Sequence, residues 1–92
     1  MNESINWQEE KYQEVYEQEI RGLERRRSHD PTCTVQDVKG ILTHLYNMDG
    51  SDWVGRGALQ DVVMQATIAA YEHVIAQWEK EERLAQVAKE NR

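Results

Sequence analysis

The sequence predicts an all-α domain of three helices, the third much the longest. Three observations carry this. Apolar residues recur at three- and four-residue steps through most of the chain, turn-forming residues gather at two places, and no Pro or Gly follows Gly57. The helices are expected at roughly 5–27, 35–47 and 57–89, within a single domain spanning 1–92.

In the first helix Tyr12, Val15, Tyr16, Ile20 and Leu23 fall on one stripe. Ser4 or Asn6 is the candidate cap, and Asn6-Trp7-Gln8-Glu9 has capping-box spacing with Asn in place of the usual Ser or Thr. Glu9 and Glu10 suit the positive start of a helix, and Arg25, Arg26 and Arg27 suit its negative end. Gly22 costs up to about 1 kcal/mol relative to Ala. Ser28-His29-Asp30-Pro31 ends the pattern.

Thr34-Val35-Gln36-Asp37 opens the second helix as an N-cap with an acid at the third position. Cys33 and Val38 bracket that cap at the spacing of a hydrophobic staple, so the Cys is expected to pack rather than react. Val35, Val38, Leu42 and Leu45, with Ile41 beside them, form the apolar stripe.

The third helix carries two stripes. One is Leu59, Val63, Ala66, Ala70 and Val74; the other, at heptad spacing, is Met64, Ile68, Tyr71, Ile75 and Trp78. A helix apolar on two sides is covered on two sides. The first two helices are expected to cover one stripe and leave the other largely wet. Met64, Ile68, Tyr71, Ile75 and Trp78 are therefore the expected interface, and a homodimer is its simplest use, although another protein's helix would leave the same stripe. Residues 79–92 are expected to form a polar extension or a frayed end.

With 92 residues, 39% hydrophobic and 30% charged, the chain is too apolar for disorder and large enough for one modest core. No apolar run approaches the roughly 20 residues of a membrane span. MNESINWQEEK does not read as a signal peptide, and a single Cys fits a reducing compartment, so a cytoplasmic protein is expected. The net charge of −6 is uneven: residues 1–20 hold six acids against one Lys, whereas residues 21–30 hold four Arg against two acids. An acidic chain lacks the long-range attraction that drives nucleic-acid binding.

The most irregular stretch is Asn47-Met48-Asp49-Gly50-Ser51-Asp52-Trp53-Val54-Gly55-Arg56-Gly57. As a calcium loop starting at Asn47 it would place Asp52 where Gly is needed and Ala58 where a bidentate Glu is needed; starting at Asp49 it would place Gln60 there. It reads better as a helix exit at Asp49-Gly50, a turn, and Trp53 packed under the corner. Arg56, between two Gly, is the possible anion contact, at a spacing that matches no phosphate-loop motif.

No nucleophile–base pair or catalytic motif is present, so no enzyme activity is expected. His29 and Cys33 flank Pro31, and His44 and His73 lie on separate helices, so neither a metal nor another cofactor is expected. The expected function is a small cytoplasmic interaction domain, adaptor or scaffold, that self-associates through helix three. The alternative is an Arg-mediated regulator binding nucleic acid or another polyanion through Arg25–Arg27 and Arg56. A DNA-reading helix-turn-helix is disfavoured because helix two holds one Lys and helix three is acidic.

Overall fold

Asp30 and Pro31 reverse the chain after the first helix. Asp30 Oδ1 accepts hydrogen bonds from the Thr32 N–H (3.0 Å) and the Thr32 hydroxyl (2.6 Å), and its carbonyl accepts from the Cys33 N–H (3.0 Å). The side chain thus reinforces a turn that the backbone bond from Cys33 to Asp30 already closes. These bonds from Thr32, helped by Arg26, hold the Asp30 carboxyl below its ordinary pKa of 3.8. The computed structural model describes residues 3–50 and 57–90. They form α1 (Glu3–His29), α2 (Val35–Gly50) and α3 (Ala58–Glu90), with no strand among the described residues.

The cap of α2 is the one its sequence predicts. The Asp37 N–H donates to Thr34 Oγ1 (3.3 Å) and the Thr34 N–H donates to Asp37 Oδ2 (3.0 Å), a reciprocal capping box. Cys33 and Val38 are both buried beside it. α1 is two residues longer than expected at each end, ending at His29, and α2 is three residues longer at its C-terminal end. α1 begins at Glu3, so Ser4 and Asn6 lie inside the helix rather than at its cap. α2 continues through Met48 and Asp49 to Gly50, because both residues engage α3: Met48 is half-buried there, and Asp49 Oδ1 accepts from Gln65 Nε2 (3.2 Å).

α3 lies between the other two helices, and both pack on it. α1 runs parallel to it: the Tyr16 ring meets His73 with centroids 6.1 Å apart, and Arg27 reaches Glu81 (3.1 Å) further along. α2 runs antiparallel to it, with Lys39 on Glu79 (2.5 Å), Tyr46 on Glu72, and Asp49 on Gln65 in turn. Ala66, Ala70 and His73 share the face toward α1, where two wholly buried Ala let the helices come close. Ile68, Glu72, Ile75 and Glu79 share the face toward α2.

This placement corrects the expectation of a wet second stripe. Ile68, Ile75 and Trp78 are 7%, 8% and 2% exposed, and Met64 and Tyr71 pack against the same core. That core also holds Leu23 of α1, Cys33 of the connector, and Val35, Val38 and Leu42 of α2. The physical reason is that α1 and α2 take opposite flanks of α3, so both stripes are covered along its middle. Burial drives the Tyr71 phenol above its ordinary pKa of 10.0; Glu19 adds to the shift and Arg26 opposes it. Past Trp78, Glu79 still meets Lys39 and Glu81 still meets Arg27, and residues 80–90 continue α3 as an exposed, mostly polar segment.

Candidate interaction surface

Where the covering stops at the other end of α3, the core opens into a groove. Leu45 and Met48 of α2 face Leu59, Gln60, Val63, Met64 and Thr67 of α3 around about 440 Å³. The residues follow from helix geometry: Leu45 and Met48 are three apart, Leu59 and Val63 four apart, and Gln60, Met64 and Thr67 step by four and three. Thr67 adds little polarity, because its hydroxyl already donates to the Val63 carbonyl (2.7 Å). Leu59 at the lip is 51% exposed. A depression with walls this apolar holds its water poorly and suits another apolar side chain rather than a charged ligand.

Beside the groove, the seam between α2 and α3 is held by polar links. The Tyr46 hydroxyl donates to Glu72, and that bond is the main cause of a Tyr46 pKa above the ordinary 10.0. The Asp49–Gln65 bond lies nearer the groove.

Of the five residues expected at an interface, Met64 alone lines this groove; Ile68, Tyr71, Ile75 and Trp78 lie along the core beyond it. Leu59 and Val63 were legible as part of the other stripe. Met48 was missed because helix two was expected to stop at Asn47, although it extends the Leu42, Leu45 series by one more step of three. Ser51–Arg56, with the packed Trp53 and the anion contact Arg56 expected there, lies outside the described residues.

The Arg cluster is divided. Arg27 lies over the Trp78 ring and pairs with Glu81, and Arg21 pairs with Glu17 (3.1 Å). Arg25 and Arg26 remain exposed on the last turns of α1. The His residues are dispersed: His29 and His44 are exposed, and the His73 ring lies tilted at 59° to that of Tyr16. Among the described residues no three His, Cys, Asp or Glu side chains group to hold a metal ion, and no helix is long and apolar enough to cross a membrane.

Comparison of the chain with protein-family models, with curated proteins and with solved structures finds no match.

Proposed function

We propose that the protein is a small cytoplasmic interaction domain that has no catalytic chemistry and pairs with a second copy of itself. The observation that carries this reading is the groove between Leu45 and Met48 on one side and Leu59, Val63 and Met64 on the other. It replaces the covered stripe as the contact surface, and Leu59, on its α3 wall, projects at the lip with half its surface exposed. A two-fold arrangement would let each copy's projection meet the other's groove, which is what a self-complementary surface requires.

The test is sedimentation velocity or light scattering over a wide concentration range. Self-association predicts a mass rising toward twice 10.8 kDa, and Val63→Glu should abolish that rise while retaining helical circular dichroism. Ala85→Glu, on the exposed extension, should leave it unchanged. A mass that stays at 10.8 kDa at every concentration overturns the dimer. A dimer indifferent to Val63→Glu overturns the groove as its contact.

The rival reading, polyanion binding, rests on Arg25 and Arg26 at the end of α1. Titration of labelled DNA and RNA at low salt tests it. Binding that weakens steeply with salt and is lost in an Arg25→Ala, Arg26→Ala variant would favour it over the interaction domain.

A further inference from the structure

We draw no further inference here: the strongest candidate, the apolar groove between the end of α2 and the start of α3, belongs to the site already described, and nothing in the structure shows what covers it.

Discussion

Arg27 lies over the indole of Trp78, its guanidinium carbon 4.3 Å from the ring centroid, while Nη1 holds Glu81 at 3.1 Å. One side chain thereby fastens the end of α1 to α3 and caps the most thoroughly buried aromatic ring of the core. Such a cation–π contact contributes about 0.5–1 kcal/mol when partly wet, and a surface ion pair between about 0.2 and 1. Arg27→Ala should therefore lower stability by about 1–2 kcal/mol in urea titration. Glu81→Gln should cost less than about 0.5 kcal/mol, since it spares the ring contact. Equal losses in the two variants would show that the ion pair, not the stacking, carries the effect.

The capping box is the next contribution to separate. Thr34→Ala and Asp37→Ala should each destabilise by about 1 kcal/mol, measured from the shift in urea midpoint. The double variant should lose less than the two single losses combined, because either change already breaks the reciprocal pair. Full additivity would mean that the two side chains act separately.

Core and extension should differ sharply on the same helix. Val74 is 1% exposed and Val87 is 50% exposed. Val74→Ala removes two buried methyl groups, at about 0.8 kcal/mol each, and leaves a cavity, so a loss of about 2–3 kcal/mol is expected. Val87→Ala should stay within about 0.5 kcal/mol of the parent. A large loss at Val87 at high protein concentration only would place the extension in an assembly contact.

Two groups give opposite pH behaviour. Tyr46 has its folded pKa raised, chiefly by the bond to Glu72, so its contribution is complete below pH 10 and is lost as the pH rises through the folded value. The stability difference between the parent and Tyr46→Phe should therefore shrink above pH 10. Asp30 has its folded pKa lowered, so its contribution is present above pH 3.8 and is lost as the pH falls through the folded value. Asp30→Asn should be less acid-sensitive than the parent. Urea titrations at a series of pH values check both.

Much of the fold was legible because its signals are local. The Thr34–Asp37 box, the Cys33–Val38 staple and the turn at Asp30-Pro31 each involve residues within a few positions of one another, so spacing specifies the contact. The ends of α1 and α2 were less legible. A helix end depends on what the last side chains touch, and Met48 and Asp49 touch residues of α3 far along the chain.

By itself the sequence determined three helices, their order and the apolar stripes on each, since these follow from 3.6-residue periodicity and local hydrogen bonding. Tertiary structure decided that both stripes of α3 are covered along its middle. Heptad spacing from Met64 to Trp78 is the same whether the covering helix comes from this chain or another, and only the placement of α2 opposite α1 resolves it. The roll of α1 likewise selected Arg27 from three consecutive Arg, because successive residues point about 100° apart and one of them faces Trp78.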